Sequence, residues 1–178
     1  MLQLMNFILS SLTLITGLFL LFIVAFLLYL KLSKQKKKRV LLKKHFDKNG
    51  AKYIFIISLV ATLGSLFYSE IAGFNPCTLC WFQRIFMYPL VIISGLMLNK
   101  NSKELLNATS ILAGIGAVFA GIHYFNQFIF PSLSCSVNGA DCAIRSFVYY
   151  GYITIPMMAL TAFLAILFIS GLLIFYKK

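Results

Sequence analysis

Five apolar runs, each of about 18 residues or more, dominate this chain: Phe7–Leu30, Tyr53–Phe74, Trp81–Leu98, Leu105–Phe128 and Tyr152–Tyr176. At about 1.5 Å per residue, each can cross a hydrocarbon layer about 30 Å thick. Backbone polar groups in lipid must be paired within their own segment, and the runs lack the strict alternation of barrel strands, so all five are expected to be helices. Composition agrees: 178 residues that are 61% hydrophobic and 11% charged have too little polar surface to coat a water-soluble globule. The expected fold class is an all-α integral membrane protein.

Charge gives the orientation. The chain has 16 Lys+Arg against 4 Asp+Glu. Ten of those cations, from Lys31 through the Lys36–Arg39 run to Lys52, fall between the first two apolar runs. Such cations flank spans and do not line a folded basic face, so nucleic-acid binding is excluded as a reading. Basic residues in short loops stay cytoplasmic. The rule puts 31–52, 99–104 and Lys177–Lys178 inside, and 75–80 and 129–151 outside. The first run has no basic residue before it and a dense basic stretch after it, the reverse of a cleavable signal peptide, so it is expected to stay in the bilayer with its N-terminus outside. Residues 31–52 then read as a basic cytoplasmic linker that anchors topology.

All four cysteines fall in the two segments assigned to the outside: Cys77 and Cys80 in one, Cys135 and Cys142 in the other. In an oxidising compartment two disulfides are the natural expectation. Cys77-Thr78-Leu79-Cys80 has the spacing of a redox-active dithiol and immediately precedes an apolar run. There the positive end of the helix dipole and unpaired N–H groups favour a thiolate. Arg84 lies one helical turn beyond Cys80 and can hold an anion at the membrane surface. Two duller readings compete. The cysteines could be purely structural bridges, or a zinc site, although six residues between Cys135 and Cys142 do not make a zinc knuckle. His123, near the outer end of its run, suits either an interhelical hydrogen bond or a functional role. Ala113, Ala117 and Gly121 form a small-residue stripe suited to close helix packing.

The run Pro76-Cys77-Thr78-Leu79-Cys80-Trp81-Phe82-Gln83-Arg84, followed by Met87-Tyr88-Pro89, resembles the signature of the DsbB/BdbC membrane disulfide-generating proteins. Tyr124 and Gln127 beside His123, the second cysteine pair, and Tyr152-Ile153-Thr154-Ile155-Pro156 resemble it too. The short second loop is similar to the BdbC branch, and Gln83 stands where some members have Glu. The resemblance covers about 53–178 and implies a four-helix transmembrane bundle there. Residues 1–30 then form one additional N-terminal transmembrane helix, outside the family plan together with the linker.

What the resemblance implies is a thiol:quinone oxidoreductase of the bacterial plasma membrane. A thioredoxin-fold disulfide donor protein, DsbA- or BdbD-like, would be reoxidised by a Cys135–Cys142 disulfide, with Cys135 the attacked sulfur. The electrons would pass to Cys77–Cys80 and leave through Cys80 to a membrane quinone, ubiquinone or menaquinone. Arg84 would stabilise the anion at the quinone, and His123 would deliver a proton or polarise a quinone oxygen. No metal or flavin is expected. The alternatives are a non-catalytic scaffold subunit with structural disulfides, and a vitamin-K-epoxide-reductase-like enzyme running the reverse flow. The outer placement of the cysteines and Arg84 favour oxidation over the latter.

Overall fold

The computed structural model describes residues 2–33, 36–99, 102–129 and 141–177. Five helices carry the chain: α1 (Leu2–Leu32), α2 (Lys36–Leu66), α3 (Thr78–Asn99), α4 (Lys103–Phe128) and α5 (Ile155–Lys177). All five are long and apolar enough to span a bilayer, and no strand occurs among the described residues. The expected all-α membrane fold is therefore present.

Helices α2, α3, α4 and α5 pack in sequence order, and α2 closes the ring against α5. Their shared core holds Ile54, Leu90, Leu106, Phe163, Ile166 and Leu173, all buried. On α4 the buried stripe runs Leu106, Thr109, Ala113, Gly116, Ala120, His123, Gln127, a spacing of three and four residues. That corrects the Ala113–Ala117–Gly121 stripe: only Ala113 belongs to the buried line, and nothing lies within 4 Å of a Cβ placed on Gly121. The closest approach is at Gly116, where the Phe163 ring occupies the space a Cβ would need. Helix α1 lies against α5 and α2 on the outside of this ring.

The basic stretch is not a loop. From Lys36 onward it is helical and continuous with the second span. Lys, Arg and Leu are good helix formers, no proline interrupts them, and Leu42, Phe46 and Gly50 recur at helical spacing facing the core. His45 Nε2 and the Tyr53 hydroxyl share a 2.9 Å hydrogen bond along this extension.

At its other end α2 widens into a π turn, Phe67–Ile71, closed by Ala72 N–H to Phe67 O. Gly73 at φ +69° then reverses the chain, as a glycine past a helix end commonly does. The expected span Tyr53–Phe74 therefore ends early. The last span also begins late, because Tyr149 and Ile153 exchange both backbone hydrogen bonds across a tight turn with Tyr150 at φ 52° and Gly151 at φ 79°. Two left-handed central residues make this a hairpin-type turn.

Candidate functional site

Cys77 is the residue before α3, and it caps that helix. Its carbonyl accepts from Trp81 N–H at 3.1 Å and its Sγ accepts from Cys80 N–H at 3.4 Å. A sulfur here takes the place that a serine or aspartate oxygen fills at ordinary helix starts. Cys77 and Cys80 are free thiols whose Sγ atoms lie 2.9 Å apart. Cys77 is buried and Cys80 half-buried. The hydrogen bond from Cys80, with a second from His123, outweighs burial and holds the Cys77 thiol down to about 4.

His123 joins three elements. Its Nδ1 lies 2.9 Å from Gln83 Nε2, and its Nε2 lies 3.7 Å from Cys77 Sγ and 3.2 Å from the Cys142 carbonyl. The Gln83 amide N–H as donor to Nδ1 assigns the ring proton to Nε2, where the Cys142 carbonyl and the Cys77 sulfur share it. The two sulfurs and the imidazole nitrogen all lie within 4.8 Å of one another, a compact set for moving protons with electrons. Gln83 thus orients His123, a part that its neutral amide in the motif did not advertise.

Cys142 is buried and disulfide-bonded, while Cys135 lies outside the described residues. The loop carrying Cys142 is fastened locally. Asp141 Oδ1 accepts from Ala143 N–H, and Gln127 Nε2 donates to Ile144 O. Arg145 donates from Nε and Nη2 to Gln127 O at 3.0 and 2.7 Å, with its guanidinium carbon 4.2 Å from the Phe128 ring centroid. A cation capping the last carbonyls of α4 is favoured by the helix dipole. Arg145 has no counterpart in the motif reading, because its partner is a backbone carbonyl eighteen residues away.

Arg84 points across to α2. It donates from Nε to Ser65 Oγ at 3.0 Å and from Nη2 to Ser65 O at 3.1 Å, and its guanidinium carbon lies 5.3 Å from the Trp81 ring centroid. Arg84, Cys80, Cys77 and His123 all line one cavity of about 580 Å³, within the range of small-molecule sites. Most of its wall is apolar, from Ile56, Val60 and Ala61 of α2 and Ala159 and Phe163 of α5. Three buried polar atoms of residues around this cavity, Tyr68 Oη, Thr154 Oγ1 and Gln127 Oε1, have no hydrogen-bond partner among the described residues. Of the six site residues expected from sequence, the structure thus gathers Cys77, Cys80, Arg84, His123 and Cys142 at one end of the bundle.

Comparison with known proteins gives the same answer from an independent direction. The family model of the disulfide bond formation protein DsbB matches residues 48–173. Disulfide bond formation protein C of Bacillus subtilis is 40% identical over 121 residues, which is 67% of this chain and 88% of that protein. Probable disulfide formation protein C 1 of Bacillus cereus is 40% identical over 119 residues, 66% of this chain and 86% of that protein. The SPbeta prophage-derived disulfide bond formation protein B of Bacillus subtilis is 39% identical over 126 residues, 70% of this chain and 84% of that protein. No solved structure matches. With a C-x-x-C capping a membrane helix and a histidine joining it to a second, disulfide-bonded cysteine, the chain belongs to the DsbB/BdbC family of membrane disulfide-generating proteins.

Proposed function

We propose that this protein reoxidises an extracytoplasmic thioredoxin-fold disulfide donor and passes the electrons to a membrane quinone. The observation that carries the reading is the position of Cys80 and Arg84 on an apolar cavity while His123, on the same cavity, touches both Cys77 and the Cys142 carbonyl. On this reading Cys80, beside Arg84, faces the acceptor, and Cys77, joined through His123 to Cys142, faces the donor.

The cavity suits a quinone. Its walls are mostly apolar, and Arg84 keeps donors beyond those committed to Ser65. A quinone, when bound, would supply a sink for two electrons and two protons. The protein's own residues do the rest. The donor's thiolate opens the proposed Cys135–Cys142 disulfide through Cys135, and as the donor's own disulfide closes, Cys135 and Cys142 are left as the reduced pair. With Cys77–Cys80 in its oxidised, disulfide form, one of those thiolates attacks Cys77, the sulfur on the His123 side, forming a mixed disulfide and displacing the Cys80 thiolate toward the cavity. Closure of Cys135–Cys142 leaves Cys77 and Cys80 reduced, and their reoxidation releases two electrons and two protons on the Arg84 side. Arg84 stabilises negative charge there, and the Nε2 proton of His123 is placed for transfer. The reactive cysteines are on the outer face, with the N-terminus outside and the C-terminus cytoplasmic.

The test separates the pairs. Cys135→Ser and Cys142→Ser should each stop electron transfer from the donor protein, while quinone-dependent oxidation of Cys77–Cys80 persists. Loss of that oxidation in either variant would refute the division of labour. Trapping the thiols in cells should give a Cys77–Cys80 redox state that follows quinone supply, whereas a scaffold with structural bridges would stay oxidised throughout.

A further inference from the structure

Helix α1 lies wholly outside the residues matched to the family, yet it forms one wall of the site. Leu9, Leu12, Thr13 and Thr16 line the same cavity as Cys80 and Arg84. Its seating is specific. Asn6 and Ser10 are buried at 6% and 0% exposure and are one helical turn apart, whereas Ile15, Phe19 and Phe22 are exposed. The inward-turned Asn6 and Ser10 seat the first turns of α1 on the bundle. Its end nearest the cysteines is tied to the turn before α5, with Ser11 Oγ 3.0 Å from the Tyr150 hydroxyl and the Tyr149 hydroxyl donating to Gln3 O at 3.5 Å. Leu9 packs against α2 at Gly64, where an added Cβ would lie 3.5 Å away.

The cavity is also long. Its α2 wall runs from Ile56 to Tyr68, about 18 Å along the helix axis. The polar groups Tyr68, Ser65 and Arg84 stand at the cysteine end, and Ile56, Val60, Leu12 and Thr16 line the rest. Without α1 this apolar stretch of α2, whose Ile56 and Val60 are 55% and 42% exposed, would lack its facing wall of Leu12, Thr13 and Thr16.

We propose that α1 converts that open groove into a shaft seating the first isoprene units of a prenylated quinone, so that Leu12 and Thr16 select acceptors by their tail. This rests on the quinone reading above and adds a determinant from the unmatched helix. The ring occupies the polar end in any quinone; only a prenylated one fills the shaft, and its buried apolar area supplies the discrimination.

The experiment uses the purified full chain in nanodiscs, dithiothreitol as reductant, and quinones carrying one or four isoprene units on the same ring, in both the benzoquinone and naphthoquinone series. The wild type should show a lower KM for the four-unit quinone. Thr16→Phe, which narrows the shaft, should raise that KM at least about tenfold and leave the one-unit KM and kcat within about twofold. Leu12→Phe should act in the same direction. Binding is read separately from quenching of Trp81, the only tryptophan and a neighbour of Cys80, and its Kd should show the same tail dependence. The retained one-unit turnover shows that the variants are folded. Equal effects on both tails, no effect on the four-unit quinone, or a tail-independent wild type would overturn the role of α1 while leaving the quinone reading intact. Wild type that neither turns over nor is quenched with any quinone would overturn both.

Discussion

In Cys77 one sulfur caps a helix and is held below its ordinary pKa. The Cys80 thiol and backbone N–H both point at its sulfur, and His123 adds a third contact. The folded value of about 4 lies below the ordinary 9.0. Between those values the unfolded chain holds a proton the folded chain has shed, so stability of the reduced protein should rise with pH across that window and be lost as pH falls through about 4. Thiolate ultraviolet absorbance of the reduced protein should therefore persist down to about pH 5, and Cys80→Ala should move the midpoint upward. A wild-type midpoint near 9 would contradict this. Arg84 makes the second prediction. Arg84→Met keeps the apolar stem but removes the guanidinium, and should slow quinone turnover at least about tenfold, since a charge-assisted bond contributes about 1.5–3 kcal/mol. Single-turnover oxidation of the donor by Cys135–Cys142 should survive, and Arg84→Lys should fall between, because it keeps the charge and loses the two-point grip on Ser65. Normal quinone kinetics in Arg84→Met would leave Arg84 as an interfacial anchor.

Among the elements, α4 and α5 are the most tightly interlocked. Gly116 gives way to the Phe163 ring, which is fully buried and also faces the cavity. Gly116→Ala places a methyl group in the space that the Phe163 ring fills, so the ring must move, and overpacking of this kind costs about 1–3 kcal/mol. A lower melting temperature is expected, partly restored in the Gly116→Ala/Phe163→Leu double variant, and unchanged melting would show that the helices separate freely at this crossing. The π turn at the end of α2 belongs to the same scale. It brings Tyr68 onto the cavity wall, and the Phe67–Ala72 bond it closes replaces the ordinary α-helical pattern near the site.

For the whole molecule, the cation distribution makes a prediction about sidedness. A membrane-impermeant thiol reagent should label Ser146→Cys in intact cells and Lys44→Cys only after lysis, because short loops rich in Lys and Arg are retained in the cytoplasm. Labelling of Lys44→Cys in intact cells would invert the orientation and put the reactive cysteines on the wrong face for an exported donor.

Five spans, the C-x-x-C, and the presence of Arg84 one turn beyond it are local properties, and the sequence alone determined them. Span length follows from bilayer thickness, and spacing along a helix follows from its pitch. Helix ends were less legible: the cationic extension of α2 looked like a linker, because charge is a cue for solvent and the buried side of the same helix, at Phe46 and Gly50, is defined only by Leu173 and its neighbours. Tertiary packing alone decided that His123 meets Cys77, Gln83 and the Cys142 carbonyl, contacts that join residues up to 46 positions apart. It alone decided that Arg84 reaches Ser65, that Tyr68 Oη and Thr154 Oγ1 are buried without a partner among the described residues, and that the unmatched α1 forms part of the cavity wall. The reason is that hydropathy and spacing describe one helix at a time, whereas a site between helices depends on which face each one turns toward the others.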